Sequence, residues 1–225
     1  MTQELDVAVL TGSHPFHVRP FYDFIHGLDG VRPYIQSFDD WLTAAGFEDT
    51  DEKERDSYDV TLFYTMLRGS PEGKSRACIE HLFDSGQPVF VLHHALLNYR
   101  EDDWWAEVIG LPDRSFSSDI WLGSYRIDVN ANHPASAGLE DFEIYDETFS
   151  LSDCNADCDV LLTTAKEGSM HTLAWSRIHG NSRVFCLQLG HDARSWENPA
   201  FRTVVQNGLR WCAGKRASAD QDAGA

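Results

Sequence analysis

Two histidines stand side by side where a buried apolar run stops: "PVFVLHH", residues 88–94, ends on His93 and His94. Imidazole titrates near neutral pH and ligates transition metals, so such a pair could move protons, hold a cation or simply cap a strand. Other ionisable groups occupy similar positions. "VLTGSHPFH" supplies His14 and His17, "NHP" supplies His133, "YDET" supplies Asp146 and Glu147, and "VFCLQLGHD" supplies His191 and Asp192. Ten histidines is many for 225 residues, and most stand at the ends of apolar runs. His93 and His191 stand out because they end two separate runs.

Each of these residues also has a plainer structural reading. Spacing alone leaves Glu147 as a surface carboxylate and His17 as the cap of a following helix, and His26, His81 and His179 read as helix or turn residues. Trp104, close behind the histidine pair, and Trp196, just after "GHDARS", are candidates to stack on a ligand, whereas Trp175 and Trp211 read as core. A nucleophile elbow would need Cys or Ser between glycines at a strand-to-helix turn. The corresponding stretch is "VLHHA", so thiol or serine catalysis is not expected. Cys78, Cys186 and Cys212 lie in apolar contexts, and Cys154 and Cys158 in "CNADC" have no second pair or nearby histidine to complete a zinc site.

The elements that would position these groups follow from periodicity. "VAVLTG" (7–12), "RPYIQSF" (32–38), "DVTLFYTM" (59–66) and "PVFVLHH" (88–94) read as strands separated by amphipathic helical stretches. Continuous apolar strands alternating with helices predict a parallel sheet covered on both faces. After residue 110 strand-like segments dominate, and "HGN" signals a turn between the last two. "PAFRTVVQNGLRWCAG" then predicts a helix, with Pro199 at its start and Gly214 past its end. The expected fold is α/β, flavodoxin-like and doubly wound, with a mostly parallel sheet and an antiparallel extension in its second half. One domain over residues 1–214 and a disordered polar tail over 215–225 complete the expectation. Ligands of such sheets bind beyond the carboxyl ends of the strands. His93, His191 and Glu147 are therefore expected around one cleft there, with His133 nearby.

Composition narrows the partners. Apolar residues make up 42% and charged residues 24%, which suits a globular chain with a sizeable core. With 36 acidic against 18 basic residues the formal charge is −18, which argues against nucleic acid or an anionic membrane as partner. "MTQELD" runs straight into "VAVLTG", too short and wrongly flanked for a signal peptide, and five scattered cysteines suit a reducing compartment, so the cytoplasm is expected.

In order along the chain, "VLTGSHPFH", "VFVLHHAL", "NHPASAGLEDFEIYDETF" and "RVFCLQLGHDARSWENPAFRTVVQNGLRWCAG" resemble the ThuA-like, trehalose-utilisation family over about residues 6–214. The resemblance implies a fold similar to class I glutamine amidotransferases without their nucleophilic cysteine, in agreement with the missing elbow. It implies carbohydrate metabolism: a sugar substrate, processed after an upstream oxidoreductase has made its 3-keto form. It marks His93, His133, Glu147, His191 and Asp192 as catalytic candidates without assigning their roles. His94 belongs to an "LHHA" variant of the motif and, with His17, Trp104 and Trp196, is expected to contact substrate. His93 and His191 are also candidate ligands of a divalent transition metal, zinc or manganese, although no compact motif such as H-E-x-x-H is present. The alternative is a non-catalytic sugar-binding module that keeps the fold.

Overall fold

The computed structural model describes residues 4–44, 55 and 57–214; the segment expected as a polar tail lies outside them. The first half contributes strands β1 (Leu5–Gly12), β2 (Val31–Ser37), β3 (Val60–Thr65) and β4 (Val89–Leu92). The second contributes β5 (Trp121–Val129), β6 (Phe142–Thr148), β7 (Asp159–Thr163), β8 (Thr172–His179) and β9 (Ser182–Leu187). They form one sheet in the order β2-β1-β3-β4-β9-β8-β7-β5-β6. Every residue of β3 and β4 is buried, as expected for central strands covered on both faces.

The helices are α1 (Val18–His26), α2 (Phe38–Ala44), α3 (Gly73–Ser85), α4 (Asp103–Ile109), α5 (Ala193–Trp196) and α6 (Pro199–Cys212). On one face α1, α5 and α6 meet through Phe24, Trp196 and Phe201. On the other, Trp41 of α2 packs on Phe38, and Phe63 of β3 touches both Phe38 and Trp105 of α4. Helix α6 lies close to the sheet because Gly208 has no Cβ; one added there would come within 2.6 Å of Phe90 and 2.8 Å of Phe185. Among the described residues no helix is long and apolar enough to cross a membrane.

The expectation of a mostly parallel sheet needs correction. Four ladders are parallel (β2–β1, β1–β3, β3–β4, β4–β9) and four antiparallel (β9–β8, β8–β7, β7–β5, β5–β6). A parallel neighbour needs a long crossover, whereas an antiparallel one needs only a tight turn. The second half has such turns, with Gly180 at φ +58° between β8 and β9.

Alternating direction has a consequence for chemistry. Counting outward from β9 through β8, β7 and β5, strand β6 again runs in the sense of β4 and β9. The carboxyl ends of β4, β6 and β9 therefore share one edge, where His93 and His191 follow their strands and Glu147 stands one residue before the end of β6. The β5–β6 connection, which holds His133, lies toward the opposite edge.

Candidate metal centre

His93 directly follows β4 and has φ +53°, in the left-handed region that residues with a Cβ seldom adopt. The reversal opens a 3-10 turn over His93–Leu97 and sets the His93 and His94 rings edge to face at 4.0 Å. The loop beyond is held by Arg114, a buried guanidinium that donates to the carbonyls of Leu96, Asn98, Tyr99, Arg100 and Asp102. Burial brings its pKa down to about 10, so it stays charged at neutral pH. Lysine cannot span five carbonyls. Arg114→Lys should lower unfolding free energy by about 2–4 kcal/mol, read from the denaturant midpoint, because carbonyls turned inward lose a charged donor.

Glu147 and His191 are brought together by the residue that precedes Glu147 in β6. Asp146 is fully buried. One of its oxygens accepts the backbone N–H groups of Glu147 (2.7 Å) and His191 (3.1 Å), and the other accepts that of Gly190 (2.7 Å). Gln188 ties the same strands, its side-chain amide donating to the Glu147 carbonyl at 2.7 Å. Gly190, at φ +119°, allows the sharp turn that follows β9.

At this edge three imidazoles surround one carboxylate oxygen. Glu147 Oε2 lies 3.1 Å from His93 Nε2, 3.4 Å from His94 Nε2 and 3.2 Å from His191 Nδ1, and His93 Nε2 lies 3.3 Å from His191 Nδ1. The four ligating atoms all fall within 4.8 Å of one another. His93 is closed off from solvent and Glu147 nearly so, while the His191 side chain is 27% exposed and gives the centre its open side.

Oε2 of Glu147 is buried and has no hydrogen-bond partner among the described residues. His93 Nδ1 meets the Gln188 carbonyl at 2.5 Å, which puts the ring proton on Nδ1 and turns the Nε2 lone pair toward Glu147. Two acceptors facing each other at this range need a proton or a cation between them. The spacing suits a cation. Bonds of about 2.0–2.1 Å to a tetrahedral ion would place neighbouring ligand atoms about 3.3–3.4 Å apart. Three imidazoles and a carboxylate fit zinc or manganese.

The electrostatics leave the carboxyl ionised and two of the rings neutral. Burial opposes ionisation of Glu147, but contact with His191, His93 and His94 outweighs it and holds the carboxyl far below its ordinary range. Burial pushes His93 down against the pull of Glu147. It also takes His94, next to His93, to about 4. His191 moves the other way, raised by its contact with Glu147. His93 and His94 thus keep neutral, ligand-ready rings at physiological pH.

The expected residues separate into two groups. The structure brings His93, His94, Glu147 and His191 together, with His94 among the donors rather than apart in a substrate cleft. His133 is not near them, which corrects the expected cleft. It is buried toward the other edge, with Nε2 2.9 Å from Ser176 Oγ and its ring beside Phe185 and Trp211. Asp192 turns to cap α5, accepting Arg194 N at 2.9 Å and pairing with the Arg194 side chain. His17 is exposed at the start of α1. Neither expected tryptophan is free to stack on a ligand. Trp104 lies beneath the Arg76 guanidinium, and Trp196, 1% exposed, stacks on Phe24 and donates to the Gly190 carbonyl at 2.9 Å.

Sequence reading underrated three residues. His14 lies against His94 with ring centroids 3.9 Å apart, and Phe149 stacks on His93 at 5.1 Å. Asp146 supports two of the four donors. The signal for His14 was its place two residues after β1, in the same relation to its strand as His94.

Comparison with known proteins bears on the family and the fold. A family model described as ThuA, trehalose utilisation, matches residues 38–212. A ThuA-like protein from Parabacteroides merdae superposes with a TM-score of 0.71 at 16% identity, covering 96% of this chain and 92% of that one. A second, from Bacteroides uniformis, gives 0.70 at 16% identity, with 96% and 94% covered. A glutamine amidotransferase from Thermotoga maritima gives 0.56 at 12% identity, with 94% and 99% covered. No curated protein matches the chain.

Proposed function

The chain belongs to the ThuA, trehalose-utilisation, family, and from that premise we propose that it is a metal-dependent enzyme cleaving the glycosidic bond of an oxidised, 3-keto sugar. One observation carries the catalytic part of the reading: three imidazole nitrogens and a buried, otherwise unpartnered carboxylate oxygen converge at one strand edge. Family membership supports the sugar.

The chemistry follows from the substrate. A ketone at C3 acidifies the proton on C2, and once that proton is removed the C1 substituent can leave by elimination. This needs a base, a stabiliser for charge on the ketone oxygen and an acid for the leaving group. His93, His94, His191 and Glu147 would hold a zinc or manganese ion, which when bound supplies Lewis acidity toward a carbonyl oxygen. Gln188 fixes the His93 ring through its carbonyl, and Phe149 and the buried strand ends keep water from the closed side. His14, against His94 but outside the four donors, is the imidazole left to move a proton at C2.

The experiment offers trehalose and 3-keto-trehalose, with further disaccharides and their keto forms, and measures monosaccharide release. The keto forms should be turned over and the parent sugars left intact. Equal turnover of both would rule out elimination, and silence across the panel would favour a sugar-binding module.

A further inference from the structure

The connection between β6 and β7 carries two thiols that play no part in the candidate centre. Cys158 N donates to Asn155 O at 3.0 Å, closing a turn that starts just after Cys154. Asn155 N donates to Gly110 O at 2.8 Å and pins that turn to the end of α4. Gly110 makes the approach possible, since a Cβ there would come within 2.8 Å of both Cys158 Sγ and the Arg177 guanidinium. Both cysteines are half-buried and free, and they flank this one turn. Cys186 and Cys212, in contrast, are sealed in the core.

We propose that Cys154 and Cys158 form a redox-active dithiol that closes to a disulfide on reaction with a small-molecule disulfide such as oxidised glutathione. A four-residue turn that starts just after Cys154 and ends at Cys158 is compatible with the short Cα separation a disulfide needs. The two thiols have different roles. Cys158 and Thr172 beside it lower the Cys154 thiol, while Cys154 and burial raise Cys158. Cys154 is therefore the first nucleophile. Its thiolate attacks one sulfur of the incoming disulfide, forming a mixed disulfide and expelling one thiolate. Cys158, losing its proton to solvent beside Arg177, then attacks Cys154 sulfur and expels the second. The protein pair gives up two electrons and two protons, and the small disulfide becomes two thiols.

Cleavage after Arg126 and Lys166 yields one peptide, residues 127–166, in which 154 and 158 are the two cysteines. The folded chain is equilibrated in glutathione buffers from reducing to oxidising, alkylated, digested and mapped by mass spectrometry. The peptide should lose two hydrogens and resist alkylation at both positions as the buffer becomes oxidising, while Cys186 and Cys212 keep their thiols. Cys158→Ser should stop with one glutathione on Cys154, and Cys154→Ser should leave Cys158 unmodified. Full alkylation of 154 and 158 in the most oxidising buffer would overturn the proposal. So would a crosslink between chains, or glutathione on Cys158 in Cys154→Ser at the wild-type rate.

Discussion

Alanine in place of His93 should strip the transition ion from the chain. Protein purified without chelator is expected to carry about one zinc or manganese, and His93→Ala to bind it at least about a hundredfold more weakly, since changes merely behind a ligand already weaken affinity 10- to 100-fold. His93 is chosen because it is the most enclosed donor, and its proton on Nδ1 is fixed by the Gln188 carbonyl. Turnover of the keto sugar should fall with the ion. His133→Ala is the control: His133 lies against Ser176, away from the four donors, and its loss should leave ion content unchanged. Elemental analysis and competition with a chromogenic chelator read both variants. Affinity should also fall with pH, because ligands must shed protons to bind. His191, raised by Glu147, takes a proton before His94, which burial brings to about 4. Full ion content in His93→Ala would remove it from the ligand set.

The sequence made all four donors visible, Glu147 least of all by spacing alone, because the three histidines end an apolar run or border one. His93 and His191 close central strands, and "LHH" carried His94 with them. What it concealed was direction. Nothing in "FEIYDET" marks a strand: its alternation is broken by Asp146, a carboxylate buried to accept backbone N–H groups. Without β6 as a strand, the reversals from β9 back to β6 could not be counted. His133 and Glu147, fourteen residues apart, then looked like neighbours rather than residues toward opposite edges. Trp196 and Asp192 misled for a related reason. A motif next to a site holds the residues that build the turn as well as those that do chemistry. In "GHDARSW" Asp192 caps a helix and Trp196 holds the Gly190 carbonyl, and both shape the turn that presents His191.

Asp146→Asn should loosen the centre without removing a ligand. The carboxylate accepts three backbone N–H groups, from Glu147, His191 and Gly190, and so sets the distance between two donors through their backbone. Asparagine has one acceptor oxygen, and its NH2 must face at least one of those N–H groups. A buried donor left opposite another donor costs about 1–3 kcal/mol. The turn should relieve that by moving Gly190 and His191 away from β6, with ion affinity weakened about 10- to 100-fold, the scale for a group that orients ligands. A pH signature accompanies it. Burial pushes the Asp146 carboxyl up to about 6, above the ordinary carboxylate range, against the N–H bonds that lower it. A folded-state pKa above the unfolded one means that this group's contribution to stability is fully present below about pH 4 and lost as pH rises through about 6. The wild-type chain should show that slope in its denaturant midpoint, and Asp146→Asn should lack it. Stability lost with ion affinity intact would make Asp146 a residue of the fold alone. Both lost together would show that the distance between Glu147 and His191 is held by a carboxylate that binds no ion itself.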